Sequence, residues 1–245
     1  DSRVCMKKPD FTYIAVLRQL NAMAVDQYEL GIFDRAQDKM YPRFWSPDKI
    51  LSSINFLRQK NANGHDIFIR PKGSVGLIFF DDFSRATLKK LEEDGLKPAT
   101  TIQSSPDNFQ GWIRVSETPI DADLATAISK HLATKYGGDT NSADWRHFGR
   151  LAGFTNLKPQ YKDEVGRSPF VKLHDGNGKL ACEAQTLIRL GELSLSDKHL
   201  EDLNRIERLS RAQEHYALTS GDRVDPSRYY EGQLNGIIKK YGLGF

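Results

Sequence analysis

From Phe11 to Ala24 the apolar residues Ile14, Leu17 and Leu20 fall at helical spacing, and Tyr28 to Phe33 follows as a strand ending in Asp34. Ser46-Pro47 supplies an N-cap with proline in the first turn, and Ile50, Leu51, Ile54 and Leu57 form the buried stripe of a helix running to Gly64. Asp66 to Arg70 and Val75 to Phe80 are β-rich runs around Pro71-Lys72-Gly73-Ser74, which predicts a hairpin. The second run is apolar on both faces and predicts a central strand. Ser84 to Glu93 predicts a helix closed by Gly95, and Ala99 to Gln103 with Phe109 to Val115 a second strand pair. Asp121 to Tyr136 is helical again, with Leu124, Ile128 and Leu132 inward and Gly137-Gly138 behind it.

This order predicts an α+β sandwich with a mainly antiparallel sheet and flanking helices, and fits a doubly wound Rossmann fold poorly. From about Leu187 the texture turns helical, with Leu200, Leu203, Ile206 and Leu209 in a charged background and a turn at Thr219 to Asp222. A last helix is predicted from Asp225-Pro226, where Tyr230, Leu234, Ile237, Ile238 and Tyr241 form a stripe that needs a partner. The expected organisation is one domain over residues 1–190, then over 191–245 a helical linker and the truncated start of a helical domain.

Apolar residues make up 39% of the 245 and charged residues 27%, the balance of a folded globular chain. The longest strongly apolar run, Val75 to Phe80, is far short of the roughly 20 residues of a membrane span, so no membrane association is expected. Cys5 and Cys182 stand far apart, which gives neither a disulfide framework nor a zinc site, and no secretory leader pattern follows Asp1. A cytoplasmic location is the expectation. The net charge of +3 is mild, but Asn141 to Lys172 holds six basic residues against three acidic ones. Trp145, Phe148, Phe154, Tyr161 and Phe170 are interleaved with them, a mixture suited to phosphate contact and base stacking. The same composition also describes a solvated basic loop over core aromatics.

Three segments could carry chemistry. Asp81-Asp82 follows the apolar run directly, and a divalent cation is the usual compensation for paired carboxylates at a buried strand end. Adjacent strand residues point to opposite faces, so both reach one site only if the strand ends, twists or bulges there. A plain strand-to-helix turn with an N-cap is the alternative. The segment Asp144 to Lys158 sets Asp144, Arg146, His147 and Arg150 close together, then Asn156 and Lys158 after a glycine-rich turn. A carboxylate beside guanidiniums suits metal and triphosphate binding. Gln103 to Trp112 is a polar loop entering a strand, in which Gln110 could hydrogen-bond a triphosphate or sugar. There is no Walker A sequence, no G-x-S-x-G, no H-E-x-x-H and no close histidine pair.

In this order the blocks resemble the RepB-type plasmid DNA primases, a branch of the archaeo-eukaryotic primase superfamily, over about Tyr13 to Leu173. The resemblance is carried by Asp66-Ile-Phe-Ile-Arg70-Pro71, Phe80-Asp81-Asp82 and Ser104-Ser105-Pro106-x-Asn108-x-Gln110-x-Trp112. The longest and most specific block is Ser142-Ala-Asp144-x-Arg146-His147-x-Gly149-Arg150-Leu-Ala-Gly153-Phe-Thr-Asn156-x-Lys158. It implies a modified RRM-like catalytic core that makes primers on single-stranded DNA at the replication origin of a bacterial plasmid. Asp81, Asp82 and Asp144 are then the carboxylates for Mg²⁺ or Mn²⁺, with no zinc. Ser105, Asn108, Gln110, Arg146, His147 and Arg150 bind the nucleoside triphosphate, and Arg70, Lys72, Trp112, Asn156 and Lys158 contact DNA. Gln110 stands where many relatives in the wider superfamily have a nucleotide-binding histidine. A replicative helicase and an initiator protein are the implied partners, and some members are fused to a mobilization relaxase. Two other readings remain: a non-catalytic module binding single-stranded or origin DNA through Trp112, Phe148 and the basic stretch, and a metal-dependent nuclease on the same carboxylates.

Overall fold

In the computed structural model, residues 9–219 are described; the helix expected from Asp225 lies outside them, as does most of the turn before it. The chain divides, within the helix Ala184–Thr219, into two compact units, Asp1–Gly191 and Glu192–Phe245. The first unit holds two antiparallel four-stranded sheets.

Helix α1 (Phe11–Met23) starts where the Asp10 carboxylate accepts from the Tyr13 amide. The first sheet has the order β2-β1-β3-β7, built from β1 (Tyr28–Asp34), β2 (Lys39–Trp45), β3 (His65–Pro71) and the short β7 (Gly149–Arg150). The second has the order β4-β6-β5-β8, from β4 (Leu77–Phe83), β5 (Thr100–Ser105), β6 (Asn108–Arg114) and β8 (Lys172–Gly176). Helices α2 (Pro47–Ser52) and α3 (Ile54–Ala62) lie between β2 and β3, and α4 (Arg85–Glu93) between β4 and β5. Helix α5 (Ala122–Tyr136) follows β6, and α6 (Ala184–Thr219) follows β8. Asp121 caps the start of α5 through the Asp123 and Leu124 amides, and Gly137 ends it in the left-handed region at φ +72°.

Alternation along the strands builds two large cores, beside a small cluster of Ile102, Ala152 and Val171. Leu30, Ile32, Ile67 and Ile69 of the first sheet meet Leu77, Phe79 and Trp112 of the second, with Val16 and Leu20 of α1 closing the layer. Ile78, Phe80, Phe109 and Ile113 point the other way, onto Leu88 of α4, Ile128 and Leu132 of α5 and Leu187 of α6. The second sheet is therefore covered on both faces, which explains the apolar run of β4.

Three expectations need correction, and one strand goes unannounced in the sequence. β4 is an end strand of its sheet and not a central one; it reads as central because both its faces are buried, with Ser129 of α5 donating its hydroxyl to the Phe79 carbonyl at 3.1 Å. β3 and β4 form no hairpin, because β3 pairs with β1 and β7 while β4 pairs with β6. The single helix expected from Pro47 to Gly64 breaks at Ser53 into α2 and α3. Finally, β2 is a strand that hydrophobic alternation does not announce: it is an edge strand, mostly exposed, and carries Pro42.

Candidate active site

The pairing of β4 with β6 runs regularly to Phe80 opposite Gly111 and resumes with Phe83 opposite Phe109. Asp81 and Asp82 thus share one partner position, Gln110, which makes this a bulge. Asp82 takes φ +59°, a left-handed conformation that aspartate tolerates better than most residues, and its amide donates to the Asp81 carboxylate at 2.8 Å. Strict alternation would have sent the two side chains to opposite faces. The bulge turns both into a single polar cleft of about 370 Å³.

Around the carboxylates the polar groups are interlocked. Asn108 donates to Asp82 at 2.6 Å and, at 3.4 Å, to the Tyr161 hydroxyl. The Gln110 carbonyl oxygen accepts from the Arg150 amide at 2.9 Å, which orients its NH₂ end toward the carboxylates. Burial pushes the Asp81 carboxyl above the ordinary carboxylate range, partly offset by Gln110, the Asp82 amide and His147. His147 lies flat against Phe79, ring centroids 5.7 Å apart.

Arg150 is 2% exposed, and its guanidinium donates to Asp66 at 2.8 Å and rests over the Phe68 ring at 4.7 Å. Burial pulls its pKa down and Asp66 opposes that. Its second terminal nitrogen is buried with no partner, an unmet donor on a residue that lines the cleft. Such a donor suits an anionic oxygen.

Of the residues expected at the site, Asp81, Asp82, Asn108, Gln110, His147, Arg150, Asn156 and Lys158 line this cleft. Six others do not. Asp144 is not among the lining residues; its carboxylate accepts from the Arg146 amide at 2.6 Å, and Arg146 itself is exposed beside Trp145. Ser105 is buried, and its neighbour Ser104 lines the cleft instead. Arg70 is paired with Glu29, donates to the Arg146 carbonyl and stacks on Phe148 at 4.3 Å, so it holds the 146–148 segment in place. Lys72 is exposed beyond the end of β3.

Two assignments to DNA are corrected. Trp112 is 2% exposed and packed on Phe79, because β6 is an inner strand of a sheet buried on both faces; its ring has no surface for a base. Asn156 is fully buried, and its amide is spent on the Ser104 carbonyl and the Lys158 amide, so it shapes the loop.

Sequence reasoning gives no site role to Asp139 or Phe68, which line the cleft together with Ser142, the first residue of the longest motif block, and Tyr161, one of the aromatics of the basic stretch. Asp139 caps a single 3₁₀ turn, accepting from Asn141 at 2.9 Å and from the Ser142 hydroxyl at 2.7 Å. The Ser142 and Asn141 hydrogen bonds hold its carboxyl below the usual range. The signal was present: Asp-x-Asn-Ser after Gly137-Gly138 is a capping sequence immediately beyond a helix that packs on β4. Among the described residues no group of three or more His, Cys, Asp or Glu could hold a metal ion by itself.

Solved structures that share this fold are primases. The catalytic domain of primase RepB′, determined in complex with initiator DNA, is 34% identical with a TM-score of 0.72, covering 78% of this chain and 98% of that one. A structure of primase RepB′ is 31% identical with a TM-score of 0.76, covering 94% of this chain and 76% of that one. The AEP domain of the cyanophage S-2L primase-polymerase, at 16% identity and a TM-score of 0.54 over 74% of this chain and 99% of that one, shares the fold. The class is therefore that of primase catalytic domains with an α+β fold. Within it the chain belongs to the RepB DNA-primase N-terminal domain family, which residues 21–190 match. Mobilization protein A of Escherichia coli is 31% identical over 239 residues, 96% of this chain and 33% of that protein. A DNA primase of Acidithiobacillus ferrooxidans is 31% identical over 134 residues, 54% of this chain and 38% of that one. The chain thus matches about a third of the length of these curated relatives.

Proposed function

We propose that this domain synthesises primers on single-stranded DNA at a plasmid replication origin, by metal-dependent nucleotidyl transfer in the cleft below the β4 bulge. The observation that carries the reading is the bulge itself, which gives Asp81 and Asp82 one cleft with an arginine donor left unpaired across it. The donor set fits a hard divalent cation: Asp81 and Asp82 would hold Mg²⁺ or Mn²⁺, with water and substrate phosphates completing the shell. When bound, the ion supplies positive charge at the attacking and leaving oxygens of an in-line displacement.

The chain's own residues do the rest. Gln110 and the Asp82 amide fix the Asp81 carboxylate. Arg150, oriented by Asp66, offers its free N–H to a triphosphate oxygen. His147 and Lys158 add donors on the cleft wall, and Asn108 fixes Asp82. Residues 1–190 form the catalytic domain in this reading, and 191–245 a helical linker and the beginning of a helical domain. Nucleoside triphosphates, a replicative helicase, an initiator and the bacterial cytoplasm are the partners and setting it implies.

The test incubates the chain with single-stranded circular plasmid DNA, labelled nucleoside triphosphates and Mg²⁺ or Mn²⁺, beside an Asp81→Ala variant. Labelled oligonucleotides from the unmodified chain and none from the variant are expected. Equal synthesis by a folded Asp81→Ala variant overturns the reading.

A further inference from the structure

Alternation in the first sheet sends Leu30, Ile32, Ile67 and Ile69 inward, so Phe33 of β1 and Phe68 of β3 stand on the opposite, outer face. Phe44 of β2 joins them opposite Glu29, and Phe148 precedes β7. At the middle of β1, Met40 and Phe148 pack over Gly31 on that face: a Cβ there would stand 2.6 Å from the Met40 sulfur and 3.3 Å from the Phe148 ring.

Each of the four rings has a cation over it. Arg35 stands 5.7 Å from the Phe33 centroid, Lys72 5.7 Å from Phe44, Arg150 4.7 Å from Phe68 and Arg70 4.3 Å from Phe148. The acids of this face, Glu29 and Asp66, are already paired with arginines, which leaves a positive surplus. A scattered exposed phenylalanine means little, but Phe44 is 58% exposed on the same sheet face as three further rings, each with a cation over it. At the other side, Phe68 and Phe148 also line the cleft of Asp81 and Asp82. Aromatic faces with interspersed cations are what single-stranded nucleic acid requires, because unpaired bases stack and phosphates pair.

We propose that the outer face of the β2-β1-β3-β7 sheet is a track for single-stranded DNA, with bases stacked on Phe44 and Phe33 and the strand led past Phe148 and Phe68 into the cleft. Its purpose, template delivery, rests on the primase reading; the binding itself does not. Duplex DNA keeps its bases stacked on each other and cannot use the rings.

The experiment measures fluorescence anisotropy of a labelled oligo-dT of about 16 nucleotides, titrated with the full chain at fixed salt, without nucleotides or divalent metal. Phe33→Ala with Phe44→Ala is expected to weaken binding about tenfold or more and to leave binding to a duplex of the same length nearly unchanged. Lys72→Ala is expected to weaken both and to flatten the salt dependence. Phe44→Trp, which enlarges the ring at an exposed position without touching either core, is expected to bind at least as tightly as the unmodified chain. An unchanged Kd for the double variant, an equal loss on duplex, or weaker binding by Phe44→Trp overturns the track. Primer synthesis with an unchanged Kd would remove the track alone, and weakened binding without any synthesis would remove the primase reading alone.

Discussion

Asp66 and Arg150 form an ion pair from which water is excluded: the guanidinium donates to the carboxylate at 2.8 Å, and the two residues are 0% and 2% exposed. Asp66 also accepts from the Leu157 amide at 2.9 Å and pairs with Arg35, so one carboxylate fixes the wall of the cleft and the loop behind it. Replacing it with alanine strands a buried guanidinium. Asp66→Ala is expected to cost about 3–5 kcal/mol in urea unfolding, whereas Asp66→Leu combined with Arg150→Met, which removes both charges, is expected to cost much less. A wild-type unfolding midpoint for Asp66→Ala would mean that the pair does not organise this wall.

The bulge is held from behind by Gly138. A Cβ at that position would stand 2.9 Å from the Asp81 carbonyl oxygen and inside the Phe80 ring's contact distance, and the next amide, Asp139, donates to that same carbonyl at 3.3 Å. Gly138→Ala is therefore expected to displace the bulge, costing about 1–3 kcal/mol and lowering primer synthesis more than DNA binding. Gly137 makes the control: its φ is +72° with open space around it, so Gly137→Ala is expected to cost about 1 kcal/mol through strain alone and to leave synthesis intact. Thermal melts and a primer assay on both variants separate the two effects.

These details show what the sequence could and could not disclose. Helices α1, α4 and α5 were legible because periodicity and caps agree, and Asp81-Asp82 stood out as charges after an apolar run. The requirement for a bulge was derivable; its partner position, Gln110, was not, because register depends on the neighbouring strand. β2 is hidden because Met40 and Phe44 lie on its outer face while Tyr41 and Trp45 pack inward, so apolar residues fall on both faces and Pro42 interrupts the run. Trp112 reads as a base-stacking ring because a strand's own alternation does not say that both its faces are covered. Asp139 is inconspicuous beside Asp144 because a capping aspartate in a loop carries no periodic signal.

Acid stability offers a separate check, at the junction of β8 and β5. Burial pushes the Asp175 carboxyl up, but hydrogen bonds from Lys97, Asn177 and the Gly176 amide outweigh it and hold the group below its ordinary value. A depressed carboxyl stabilises the fold above the unfolded-state pKa, and that stabilisation is lost as pH falls through the folded value. Lys97 is shifted up, its largest cause the hydrogen bond to Asp175, so its share is lost only as pH rises through the folded lysine value. The bridge therefore contributes evenly across neutral pH. Because both groups are about a third or more exposed, Asp175→Asn is expected to cost only about 0.5 kcal/mol near neutrality. Thermal melts of both proteins should converge on the acid side of the carboxylate range; a gap that widens there contradicts this account.

Asp139 and Asp144 are the two candidates for a third carboxylate at the cleft. Asp139 lines the cleft, and its Ser142 and Asn141 hydrogen bonds keep it ionised and oriented before any substrate arrives. Asp144 turns its carboxylate to the Arg146 amide and is not among the cleft's lining residues. A negative group preset at the reacting centre contributes far more than one that must first swing in. Asp139→Asn is therefore expected to lower primer synthesis about 100-fold, and Asp144→Asn only a few-fold, with both variants melting close to the unmodified chain. The comparison is of single-turnover synthesis rates at saturating template, which removes differences in DNA binding. The reverse ranking would assign the role to Asp144 and require the segment from Asn141 to His147 to rearrange when substrate binds.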